Sequence, residues 1–125
     1  MKKGIVNDYA TYKIDNGILF FTYKENIILR LAEAIEIVTE RIAFQNGKAY
    51  PILCDIRGIK HIDKDARRYL STEGAQLTKA VAFISDNPLS HILSNVYLKA
   101  NTPPNPIKVV GTELEGIKFL SDYVD

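Results

Sequence analysis

Seven residues able to do chemistry crowd into one stretch, LCDIRGIKHIDKDAR: Asp55, Arg57, His61, Asp63, Lys64, Asp65 and Arg67, with Asn87 and His91 further on. Carboxylates beside a histidine suggest acid–base work or a metal. Neither is well supported here. No spacing among His61, His91, Asp55 and Asp63 sets two ligands together on one helix, as recognised metal motifs do. Cys54 lies in an apolar run and reads as a small core residue, not a nucleophile. There is no GxSxG elbow and no phosphate-binding glycine loop. A receiver domain would need an acidic pair after its first strand, which the chain does not supply. No enzyme, cofactor or metal is therefore expected, and the minimal catalytic claim would be Asp55 or His61 as acid or base. The cations allow a different chemistry. Helices starting at Asp63 and Asn87 would aim free N–H groups at one edge, where Lys64 or Arg67 would support an anion. The plainer and weightier reading is that Asp63 and Asn87 cap those helices.

The elements that must hold these residues follow from periodicity. Two alternating runs flank Asn16-Gly17, a dipeptide suited to a type I′ turn, so residues 9–24 are expected to form a hairpin. Its register would oppose Ile14 to Leu19, Tyr12 to Phe21 and Ala10 to Tyr23 on one core face. Ile18 and Phe20 fall on the other face and either pack under a helix or serve self-association. Leu31, Ile35, Val38 and Ile42 recur at helical spacing before Asn46-Gly47, predicting a helix over about 29–45 with those residues inward. Pro51–Ile56 and Ala80–Ile84 are nearly continuous apolar runs, the mark of strands covered on both faces. Between them Ile56–Ile62 reads as a loop, and the helix from Asp63 should bury Ala66, Tyr69, Leu70 and Leu77. Asn87-Pro88 opens a further helix, and the proline-rich 101–106 is a stiff connection. Ile107–Val110 is a short strand. Thr112 and Glu115 form a capping box for a last helix that turns Leu114, Ile117, Leu120 and Val124 inward. The order is ββαβαβαβα, an α/β fold with a mixed sheet and helices packed on it. In such sheets ligands favour the crevice beyond the carboxyl ends of the strands, where Asp55, Asp63, Asp86 and Asn87 gather.

That order, with a strand ending in Asp55 and a helix beginning at Asp63, resembles the STAS domain of the SpoIIAA-like family. The motif is confined to about 53–66. STAS domains carry Asp-Ser-Ser-Gly at this helix start, and a partner kinase phosphorylates a serine there. The matching tetrad is Asp63-Lys64-Asp65-Ala66. Lys64 cannot form the serine ester, and its charge is opposite to that of a phosphate. The usual phospho-switch is not expected. The chain after Asn87 resembles the broader SpoIIAA-like group, some of it similar to lipid-handling SEC14-type folds.

At 125 residues and 46% hydrophobic, the chain fits one domain over residues 1–125. A formal charge of +1 provides no global pull toward nucleic acid or anionic lipid. Met1-Lys2-Lys3 begins like a signal peptide, but Asn7 and Asp8 break the apolar run. A single cysteine suits a reducing compartment, so a cytoplasmic location is expected. The resemblance implies a regulatory module that binds a protein partner through Asp55–Arg68. The alternative is a carrier of a small apolar ligand held between the sheet and the helix from Pro88. Sheet-edge strands invite pairing, so the hairpin is a candidate surface for a homodimer.

Overall fold

A computed structural model describes residues 3–85 and 105–125. The expected helix from Pro88, the residues Asp86, Asn87 and His91, and most of the proline-rich connection lie outside them. The hairpin forms as its sequence dictates. β2 (Ala10–Asp15) and β3 (Ile18–Tyr23) pair with Ile14 opposite Leu19, Tyr12 opposite Phe21 and Ala10 opposite Tyr23. The turn has Asn16 at φ 53° and Gly17 at φ 79°, the left-handed pair a type I′ turn requires. An unexpected strand, β1 (Lys3–Val6), lies antiparallel against β2. Asn7 makes the turn between them, its Oδ1 accepting the N–H groups of Tyr9 and Ala10 at 2.8 Å. The outer edge of the hairpin is occupied by β1, and its inner edge pairs with the strand Tyr50–Asp55, so the open edge on this side of the sheet is that of β1.

β5 (Tyr50–Asp55), β7 (Thr78–Ile84) and β8 (Ile107–Val110) run parallel to β3. Among the described residues the main sheet thus has six strands, in the order β1-β2-β3-β5-β7-β8. The apolar runs are covered on both faces, as continuous hydrophobicity implies. Ile52 and Cys54 join Tyr12, Leu19 and Phe21 in a core beneath α1 (Leu31–Gln45) and α2 (Lys64–Thr72). Leu53 points the other way. With Ile18, Ala80, Ala82 and Ile84 it forms a second core under α3 (Glu113–Leu120). Ile18 and the half-buried Phe20 thus pack under a helix. Pro51, which has no N–H, falls where the β5–β7 register shifts, so the ladder skips the bond it cannot make.

Four further elements differ from expectation. The chain forms two further short strands, β4 (Ile27–Leu29) and β6 (Ile59–Ile62), paired parallel in a small sheet of their own. Each is too short to show a period, so β6 looked like loop. α1 buries Ala34, Ile37, Val38, Arg41 and Gln45, while Leu31 is 39% and Ile35 41% exposed. The helix is rolled by roughly 70° at 100° per residue. Small Ala34 meets the core, and the Arg41 guanidinium finds acceptors inside. In α3, Leu114 is 76% exposed, and the close contact is made by Gly116, where an added Cβ would stand 2.3 Å from Leu53 Cδ1. In α2, Ala66 is buried and Tyr69 and Leu70 are half-buried as expected, whereas Leu77 lies beyond the helix at φ 60°. No helix among the described residues is long and apolar enough to cross a membrane.

Candidate functional site

β5, β6 and the start of α2 bring the acidic and basic residues to one side of the molecule. Asp55 ends β5, where Arg57 grips its carboxylate: Nε donates to Oδ1 at 2.9 Å and Nη2 to Oδ2 at 2.7 Å. The Arg57 backbone N–H adds a third bond at 3.1 Å. Next to Arg57, buried Gly58 presses on the backbone where β3 ends, since an added Cβ would stand 2.1 Å from the carbonyl oxygen of Lys24, the residue after the strand. That contact seats β6 beside β4 and holds His61 at the surface. Asp63 then caps α2, its Oδ1 accepting the Ala66 N–H at 2.8 Å. Both carboxylates therefore have structural work. Lys64 and Asp65 are exposed in the first turn, and Lys64 occupies the position directly after the cap.

Arg67 behaves differently from its neighbours. It is half-buried, its Nη1 donates to the Ile62 carbonyl at 3.3 Å, and its Nε is buried with no hydrogen-bond partner among the described residues. It lines a cavity of about 110 Å³ between the inner face of the sheet and the pair α1 and α2. The sheet contributes Phe21, Tyr23, Cys54 and Phe83, and the helices contribute Val38 and Leu70. Arg41 is also in this wall, 5% exposed, donating through Nη2 to the carbonyls of Gly74 at 2.9 Å and Gln76 at 3.2 Å, and through Nη1 to Gln45. Neither the cavity nor the buried Arg41 was anticipated. The available signal was a charged residue seven places after Ala34, on the stripe that Ala34, Ile37 and Val38 share. Burial, followed by the neighbouring Asp55 charge, pushes the Cys54 thiol up to about 12, which leaves little thiolate for nucleophilic chemistry.

On the far side of α1 a polar clamp ties the opening turn to the helix. Glu40 accepts bonds from Asn7 Nδ2 at 2.9 Å and from the Tyr12 hydroxyl at 2.8 Å. Those two donors hold the Glu40 carboxyl below its ordinary range, Asn7 contributing most, while burial and then Glu40 push the Tyr12 phenol upward. Among the described residues, no group of three or more His, Cys, Asp or Glu is placed to hold a metal ion.

Comparison with solved structures supports the architecture. An uncharacterised protein of the DUF3478 family from Shewanella loihica PV-4, described as having a SpoIIAA-like fold, superimposes with a TM-score of 0.60 at 14% identity, covering 96% of this chain and 92% of its own. A protein of unknown function from Arthrobacter sp. FB24 is 20% identical over 86% of this chain and 88% of its own, at a TM-score of 0.33 that is too low for a fold argument. A search of curated proteins found no match. The family model described as a domain of unknown function, DUF7793, matches residues 12–124, nearly the whole of the fold traced above, and the chain belongs to that family.

Proposed function

We propose that this chain is a non-enzymatic regulatory module of the SpoIIAA-like type, working in the cytoplasm by binding an acidic protein partner through the Asp55–Arg68 surface. The observation that carries this reading is a local excess of exposed positive charge. Residues 55–68 hold Arg57, Lys60, Lys64, Arg67 and Arg68 against Asp55, Asp63 and Asp65, a net +2 in a molecule of +1. Lys60, Lys64 and Arg68 are exposed, and the Asp63 carboxylate is turned to capping. Such a patch steers an acidic partner and fixes its register. Lys64 in place of a phosphorylatable serine makes the surface constitutive, in contrast to the STAS switch it resembles. The test is capture from native lysate by the wild type and by Lys64→Glu and Arg68→Glu, at low and raised salt. A partner lost on charge reversal and weakened by salt supports the surface. Capture unaffected by either change means that the surface is the wrong one.

A second reading, a carrier or sensor of a small apolar ligand, is favoured by the cavity. It lies between the sheet and α1 and α2, whereas the sequence had suggested the helix from Pro88. Native mass spectrometry of freshly purified protein tests it, and a clean apo mass with no thermal shift against small apolar compounds counts against it.

A further inference from the structure

We propose that the cavity beneath α1 and α2 binds a small apolar carboxylate, its apolar body against the sheet and its carboxylate on Arg67. The inference rests on the ligand-carrier reading and specifies the ligand. Three observations lead to it. First, most of the wall is apolar: Phe21, Ile52, Val81 and Phe83 from the sheet, Ile37 and Leu70 from the helices. Second, at about 110 Å³ the space is somewhat smaller than the roughly 150 Å³ apolar cavity that accepts benzene, so it suits one ring or a short branched chain. Third, the charge in the wall has one sign. Arg41 and Arg67 line the cavity and, among the described residues, no Asp or Glu does.

The two guanidinium groups have different parts. Gln45 and the carbonyls of Gly74 and Gln76 hold Arg41 in place, so it supplies a fixed positive potential without needing to move. Arg67 is the contact. Its buried Nε has no partner among the described residues, which is destabilising, and a turn of the guanidinium toward the cavity would present that donor to an acceptor there. A carboxylate matches the guanidinium fork with two oxygens, and low-dielectric walls strengthen the pair. A phosphate would bring the same sign of charge but lose far more hydration against apolar walls.

The test uses the full chain labelled with ¹⁵N and titrated with benzoate, benzyl alcohol and inorganic phosphate, followed by ¹H–¹⁵N spectra and thermal unfolding. Benzoate should move the Arg67 Nε–H resonance, raise the unfolding temperature, and bind roughly ten- to a hundredfold more tightly than benzyl alcohol. Arg67→Gln should erase that preference while benzyl alcohol still binds, which also shows that the variant is folded. Arg67→Lys should restore part of it. Equal binding of benzoate and benzyl alcohol by the wild type would overturn the carboxylate assignment and leave the ligand-carrier reading standing. Phosphate binding more tightly than benzoate would overturn it as well. If neither aromatic compound binds, both the assignment and the carrier reading fall.

Discussion

Gly58 and Gly116 are both pressed against neighbours, but the neighbours differ in how they can yield. A methyl group at Gly58 would meet the backbone carbonyls of Lys24 and Tyr23, at 2.1 and 2.8 Å, while at Gly116 it would meet the end of the Leu53 side chain at 2.3 Å. Backbone cannot rotate away. Gly58→Ala should therefore cost about 3 kcal/mol or more and Gly116→Ala roughly 1 kcal/mol, read from urea unfolding; equal losses would contradict the contacts described. Glu40 is sensitive to pH. Its carboxyl titrates below the ordinary value of 4.5 in the folded protein because Asn7 and Tyr12 donate to the charged form. A depressed folded value means that the unfolded chain takes up the proton first. The stability it contributes is present above pH 4.5 and is lost as pH falls through the lower folded value. Glu40→Gln should then be less stable than wild type at neutral pH, with the gap narrowing in acid. A gap constant from pH 7 to pH 3 would show that the clamp has no such role.

At the scale of elements, the burial pattern assigns different weights to residues of one type. Leu120 is fully buried and Leu114 is 76% exposed on the same helix. Leu120→Ala should cost about 2–5 kcal/mol and Leu114→Ala close to nothing, as denaturant midpoints would show. Arg41 locks α1 to the turn after α2 through the Gly74 and Gln76 carbonyls. Arg41→Leu should cost about 3 kcal/mol, because buried acceptors lose their donor while the added apolar surface offsets only part of it. These cases also show what was legible before the structure. The hairpin register was readable because Asn16-Gly17 and strict alternation leave one solution. The roll of α1 was not, since Leu31 and Ile35 offer a more hydrophobic stripe than the one containing Arg41. β4 and β6 were hidden because a strand of three or four residues carries no period and owes its existence to a partner some thirty residues away. Among the site residues, the surface cluster at 57–65 was visible as local sequence. The cavity was not, because its walls come from strands and helices far apart in the chain.

Across the whole molecule, the sheet separates two cores of different character. The one under α3 has small residues at its centre, Ala80 and Ala82 beside Leu53, so the helix backbone comes close at Gly116. The one under α1 and α2 carries the aromatic residues and leaves space. Tyr12 stacks on Phe21 at 5.1 Å and meets Phe44 of α1 edge-on at 5.1 Å, which fixes the Phe21 ring in the wall of that space. The basic surface at 57–68 and the interior cavity meet at α2, which exposes Lys64 and Arg68 outward and Arg67 inward. A partner held on one side and an occupant on the other would both act on that short helix, giving them a direct route to influence each other's affinity. Cys54 makes such an exchange measurable without any label being engineered. It is the chain's sole thiol, shielded in the cavity wall, so its rate of modification by a thiol reagent clocks how often the space beneath α2 opens.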